Sequence, residues 1–257
     1  MPVKRHHIQG SPVDCVDMGK TLKFISDYIN DQSNPVGFIL AMNPEKVFAL
    51  RANPFLRNFF EQATLVIPDG IGIVKALRFL YGVKVSRVPG ADLMQNICRE
   101  APLHGWRLFI YGASEKVNAE ACKILERRYP GIRIAGRANG FVPPERMEDL
   151  VTHINTSGAN ILFVALGSPK QEEWMAAYAG RLTTVKLCQG IGGTLDTIAG
   201  TVKRAPLFWQ QMGLEWFYRL LKQPSRFGRQ LKLLLFVREI IGAKLSGTTA
   251  CEEHHGS

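Results

Sequence analysis

The strongest constraint on this chain is its alternation of short apolar runs with helix-length amphipathic segments. Residues 38–42, 64–67, 106–111, 132–135, 160–166 and 185–188 read as strands. They are rich in Val, Ile, Leu and Phe on both faces, the pattern of parallel strands covered from both sides. Residues 44–60, 71–80, 92–103, 115–128, 144–155 and 171–180 read as the intervening helices. Crossovers of this length imply an α/β fold, a Rossmann-like parallel sheet between helices. No internal repeat occurs, and no linker precedes about residue 205.

Small or polar residues follow nearly every predicted strand: Asn43, Pro68-Asp69-Gly70, Gly112-Ala113-Ser114, Asn139-Gly140, Gly167 to Gln171, and Gly190 to Gly193. In open α/β sheets ligands bind outside the carboxyl ends of the strands. These six turns are therefore expected to form one rim.

With 257 residues, 46% of them hydrophobic, the chain can bury a substantial core. The net charge of +10 suits nucleic acid, an anionic membrane or a phosphorylated substrate. Its distribution separates these. From Trp216 to Lys244 there are seven basic residues (Arg219, Lys222, Arg226, Arg229, Lys232, Arg238, Lys244) against one acid, Glu239. Phe227, Leu231, Leu234, Leu235 and Ile241 recur there at helical spacing, with Arg226, Arg229 and Lys232 as an adjacent stripe. Such a helix either docks on the core with a solvated basic face or lies on an anionic membrane. Nucleic acid is disfavoured, because aromatics do not interleave with the basic residues. The division expected is a catalytic core over 1–205, a helical basic membrane-associating appendage over 206–245, and a disordered tail over 246–257.

Five cysteines without a C-x-x-C pair read as reduced thiols in the cytosol. The N-terminus lacks the apolar stretch of a signal peptide, and no run reaches the length of a membrane span. His6-His7 and His254-His255 are expected at mobile ends, and His104 and His153 as structural or surface residues.

Each motif carries two readings. Asp69, ending a strand, is either the N-cap of the next helix or a carboxylate placed as general base, the group a sugar hydroxyl needs before it can attack. Ser168, Pro169 and Gln171 fit a capping box, and Lys170, Gln171 and the helix amides also fit a diphosphate cradle. Gly190-Ile191-Gly192-Gly193 resembles a phosphate-binding turn, but Leu195 breaks the dinucleotide fingerprint. D-x-D, H-E-x-x-H, P-loop and G-x-S-x-G patterns are absent from the sequence.

Taken in order, Asn43-Pro44-Glu45, Asp69-Gly70-Ile71, Ser86 to Asp92, Gly167 to Glu172, Gly192 to Asp196, Lys203 to Pro206, Gly213 to Arg219 and Pro224-Ser225-Arg226 resemble the WecG/TagA/CpsF family of bacterial glycosyltransferases. The likeness runs from about residue 10 to about 240 and is strongest to the WecG branch. It implies inverting transfer, with neither metal nor other cofactor, of a hexose-type sugar from UDP to a polyprenyl-diphosphate-linked sugar. Asp69 matches the family's proposed general base. Arg87, Gln171, Arg219, Arg226 and Arg229 match groups proposed to hold diphosphates or substrates. Asn43, Lys170, Gly192 and Gly193 join them as expected substrate contacts. Ala41 stands where some relatives carry Thr, so a hydroxyl role there does not carry over.

The expected partners are thus a UDP-sugar, a lipid-linked acceptor and the anionic inner face of the cell membrane, with no nucleic acid. The sequence is compatible with a homo-oligomer but does not determine the oligomeric state. The candidate sugars are N-acetylmannosaminuronic acid, N-acetylmannosamine and glucose. The competing readings are a Rossmann-fold oxidoreductase, which needs the missing fingerprint, and a non-catalytic membrane-binding module.

Overall fold

The computed structural model of the chain describes residues 3–202, 206, 208, 209 and 227–246, the side chains of 227–231 excepted. A hairpin of β1 (Arg5–Ile8) and β2 (Ser11–Asp14) opens the chain, followed by α1 (Met18–Asn30). Next come β3 (Gly37–Met42), α2 (Pro44–Ala52), α3 (Pro54–Glu61), β4 (Leu65–Pro68), α4 (Ile71–Tyr81) and α5 (Gly90–His104). The other half holds β5 (Arg107–Gly112), α6 (Glu115–Arg128), β6 (Arg133–Ala138), α7 (Met147–Ser157), β7 (Ile161–Ala165), α8 (Lys170–Tyr178), β8 (Leu187–Gly190) and the short α9 (Thr194–Ile198). A long helix, α10 (Phe227–Leu245), follows.

Six strands form one parallel sheet in the order β4-β3-β8-β7-β5-β6. The chain runs outward from β3 to β4, crosses to β5 and β6 at the far edge, and returns through β7 and β8. Alternate strand residues serve two cores. Leu40, Met42, Val66, Phe109, Leu162 and Val164 pack with residues of α2, α3, α4, α7, α8 and α10. Ile39, Leu65, Ile67, Leu108, Ile110 and Phe163 pack on the opposite face with residues of α1, α5, α6 and α9. Both faces are dry, as the Rossmann-like reading of the sequence requires.

Three expectations need correction. Residues 44–60 do not form one helix. Pro54 has no N–H to continue the ladder and disfavours helical backbone at residue 53. Asn53 therefore closes α2 and caps α3, its Oδ1 accepting from the Leu56 N–H at 3.3 Å. His6 is not at a mobile end but 4% exposed in β1, packed at a tilt against the Tyr81 ring with centroids 4.3 Å apart. The hairpin that holds it turns through Gln9 and Gly10, both at positive φ, and Arg5 pins it by an ion pair to Asp14 at 2.8 Å. Asp14 in turn accepts the Val66 N–H of β4 at 2.6 Å.

The third correction concerns the basic helix. It docks against α2 and α4 through Phe236 and Ile240, which are 1% and 6% exposed. Leu234, Leu235 and Ile241, expected on its apolar stripe, lie instead on the open side with Val237 and Leu245. Lys232, Arg238 and Lys244 are exposed as well. Among the described residues no helix is long and apolar enough to cross a membrane.

Arg51 in α2 donates two hydrogen bonds to Glu239 of α10, at 3.1 and 2.8 Å. These bonds, more than the Coulomb attraction, hold the Glu239 carboxyl below its ordinary range. A depressed carboxyl contributes stability above its unfolded pKa and loses it as pH falls through the folded value. The pair is partly exposed, so its worth is below about 1 kcal/mol. As pH drops below about 4, hydrogen exchange along 232–246 should accelerate before it does in the central strands. Arg51→Ala should abolish that step.

Candidate active site

Because β3 and β4 are neighbours, the turns that follow them lie side by side. The Met42 carbonyl accepts from the N–H groups of both Asp69 and Gly70, at 3.0 and 3.2 Å. A Cβ on Gly70 would lie 2.9 Å from Pro44 Cδ and 3.1 Å from Asn43 Cβ, so only glycine lets the two turns approach this closely. Asn43 caps α2, its Oδ1 accepting from the Lys46 N–H at 2.9 Å.

Asp69 does not cap α4. Gly70 holds the N-cap position without a side-chain bond. The Asp69 carboxylate instead reaches across to α5, and its Oδ1 accepts from the Gly90 N–H at 3.1 Å. Gly90 is the first residue of this 15-residue helix. The positive end of the α5 dipole therefore faces the carboxylate, an attractive arrangement for a negative group. The connecting segment is tied down where the Val88 N–H donates to the Pro68 carbonyl at 2.9 Å, which brings half-buried Arg87 to the Asp69 turn.

The β7 and β8 turns are linked to this pair through charge. Ser168 was expected to open a capping box, but α8 starts at Lys170 behind Pro169 with no side-chain cap. The Ser168 hydroxyl is turned to Lys46, whose ammonium also bonds Glu172 Oε1 at 2.9 Å. Glu172 is 1% exposed, and its Oε2 has no hydrogen-bond partner. Gln171 donates to Glu172 Oε1 at 3.4 Å and accepts the Gly192 N–H at 3.0 Å. A Cβ on Gly190 would fall 2.5 Å from Gln171 Nε2. Gln171 is thus an internal brace between α8 and the Gly190–Gly193 turn. Lys170 is exposed at the first position of α8, Gly193 is exposed, and Gly192 is half-buried at φ +50°.

The far side of the rim joins at Gly112. Its φ is +122°, and a Cβ there would stand 2.4 Å from the Ala165 carbonyl oxygen. Ala113 donates to that carbonyl at 2.9 Å and accepts the Gly140 N–H at 2.8 Å. Asn139 Oδ1 accepts the Phe141 N–H at 2.9 Å, closing a tight turn. Phe141 is 79% exposed on that turn. The sequence reading passed over it. The available signal was a large aromatic directly after the Asn-Gly of a strand end.

The structure therefore brings Asn43, Asp69, Gly192 and Gly193 onto the connected strand-end turns, with Arg87 on the segment tied to the Asp69 turn and Lys170 and Gln171 opening α8 beside them. Arg219 and Arg226 lie outside the described residues. Arg229 belongs to α10, with its side chain undescribed. His104 stacks on Trp106 and His153 meets the Phe109 ring edge, so both are structural. Burial pushes the Cys98 thiol up to about 12 and that of Cys122 up to about 11, and raises Cys188 too. These thiols stay protonated and unreactive at neutral pH. Among the described residues no group of three His, Cys, Asp or Glu side chains is gathered as a metal site.

A doubly covered parallel sheet whose strand-end turns gather the Asp69 carboxylate and the exposed Gly193, with Arg87 on the adjoining segment, has the architecture of α/β enzymes that bind a ligand at that edge. The profile of the glycosyl transferase WecG/TagA/CpsF family matches residues 6–250, and the chain belongs to this family. It is a glycosyltransferase of cell-surface polysaccharide synthesis, a role that entails a nucleotide-sugar donor and a lipid-linked acceptor.

The Lys46–Glu172 pair spans α2 and α8, with side chains 12% and 1% exposed. Removing one partner of a buried pair typically costs about 3–5 kcal/mol, whereas replacing both by apolar groups is often neutral. Lys46→Met should lower the melting temperature sharply, and Lys46→Met with Glu172→Leu should recover most of the loss in the same thermal scan.

Proposed function

We propose that the chain transfers a hexose-type sugar from UDP to a polyprenyl-diphosphate-linked sugar, with inversion and without a metal ion. The observation that carries this reading is the placement of Asp69. Its carboxylate stands at the carboxyl end of β4, held by the α5 amide, with Arg87 on the adjoining segment. The acceptor hydroxyl attacks the anomeric carbon as its proton passes to Asp69. The bond from that carbon to the diphosphate oxygen breaks, and UDP leaves. One displacement inverts the anomeric centre. Fixed cations and amides stabilise charge on the departing diphosphate, and Arg87 with the exposed Gly193 are the groups placed for it, the Gly192 N–H being taken by Gln171.

The proposed division assigns catalysis to residues 1–205 and substrate closure to the appendage 206–245. The appendage supplies Arg219, Arg226 and Arg229 to the diphosphates. The open side of α10, with Leu234, Leu235, Val237, Ile241, Lys232, Arg238 and Lys244 exposed, supports attachment to an anionic inner-membrane surface. Within the family we favour the WecG branch, with N-acetylmannosaminuronic acid, N-acetylmannosamine and glucose as the candidate donor sugars. Phe141 offers a face on which the uracil base can stack.

UDP release measured over a panel of UDP-sugars, with and without a lipid-diphosphate-sugar acceptor and in EDTA, tests the reading. Acceptor-dependent release should survive EDTA and fall about 10²–10⁴-fold in Asp69→Asn. Phe141→Ala should raise the donor KM about 3–10-fold with little change in kcat. Equal release by Asp69→Asn would remove the base assignment. Loss of activity in EDTA, restored by Mg²⁺, would remove metal independence.

A further inference from the structure

Gln189 has no role in the chemistry described so far, yet among the described residues it is the one buried polar side chain in the strands of the six-stranded sheet. It lies in β8 between Cys188 and Gly190, paired in register with Ile39 and Phe163, and is 1% exposed. Its Nε2 donates to the Gly90 carbonyl at 2.9 Å. Its Oε1 is buried without a hydrogen-bond partner. A half-satisfied buried amide is unfavourable compared with an apolar side chain of the same shape. Packing alone therefore does not account for a glutamine at this position.

The one bond it makes leads to the candidate base. Gly90 is held from two sides: its carbonyl by Gln189 and its N–H by Asp69 Oδ1, at 2.9 and 3.1 Å. Ala41 and Gln189 line the space beside it, where a Cβ on Gly90 would make ordinary contacts at 3.5 Å from Ala41 Cβ and 3.9 Å from Gln189 Nε2. Gly90 opens α5, so displacing it turns the first amide of that helix away from the carboxylate.

Resting on the reading of Asp69 as general base, we infer that Gln189 is a positioning residue for it, acting through Gly90. The glutamine anchors the start of α5 so that the Gly90 N–H is delivered to Asp69 Oδ1. That bond orients the carboxylate and stabilises its ionised form, the form able to accept a proton. Gln189 itself touches neither sugar nor diphosphate in this scheme.

The test uses the full-length chain in the acceptor-dependent UDP-release assay across pH, with Asp69→Asn run in parallel. Gln189→Met keeps length and apolar fit but cannot donate to Gly90. It should lower kcat about 10–100-fold, the range expected for a small misplacement of a reacting group, with KM within about twofold. The acid limb of kcat/KM should move to higher pH, because the carboxylate loses a bond that favours its charged form. Gln189→Glu can donate to the Gly90 carbonyl while protonated, so it should recover part of the rate at the acid end of the profile. An acid limb that stays where it is in both variants, with the rate scaled down equally at every pH, would overturn the inference. A loss confined to KM would overturn it as well. If Gln189→Met does not fold, the acid limb of Gln189→Glu decides alone. Retained transfer in Asp69→Asn would show that the base reading itself has failed. An inactive Asp69→Asn beside an unmoved acid limb in the Gln189 variants would sink only the positioning role.

Discussion

A parallel sheet buried on both faces imposes a severe rule on this chain. Its strand amides and carbonyls are consumed by the ladder, and its side chains face two apolar cores. Polar groups placed along the strands would be stranded away from water at a cost of roughly 1–3 kcal/mol each. Polar chemistry is therefore expelled to the strand ends, where glycines let turns approach as close as those around Gly70 and Gly112. The connected rim follows from the sheet and needs no separate explanation.

What fixes the rim is a set of polar ties among turns remote in sequence. Met42 gathers Asp69 and Gly70. Lys46 joins α2 to α8 through Ser168 and Glu172. Gln171 joins α8 to the Gly192 turn, and Gln189 joins β8 to the start of α5. Each tie uses a group that could have served a ligand. In Gln171 both the oxygen and the nitrogen of the amide are engaged internally. A residue can thus carry a strong motif signal and still be needed first for shape.

The six sheet strands and the turns behind them were legible because apolar runs and glycine punctuation are local signals. The opening hairpin and α1 were not read. The hairpin has a two-residue turn of Gln9 and Gly10 and a charged Arg5 and Asp14 whose partners are supplied partly by β4 and the end of α3. Its residues look polar until that partner exists. The break at Asn53-Pro54 could have been read from proline's missing N–H, and was not. The destination of Asp69 was beyond reach, since neither the N-cap reading nor the general-base reading names a partner 21 residues away at Gly90. The same holds for α10, where periodicity identified an apolar stripe but not which stripe α2 and α4 would cover.

Gly72 shows how finely one part of the molecule is spaced against another. It lies two residues beyond Gly70, with Pro44 on one side and Phe236 of α10 on the other. A Cβ there would stand 2.9 Å from Pro44 Cγ and 3.6 Å from the Phe236 ring. The first turn of α4 is thus a shim between the start of α2 at Pro44 and the helix whose outer side is oily and cationic. A Cβ at residue 72 would press first on Pro44, since Phe236 lies at ordinary contact distance. The missing methyl group therefore sets how deeply the start of α4 seats against Pro44, and through it how far α10 stands from the rim.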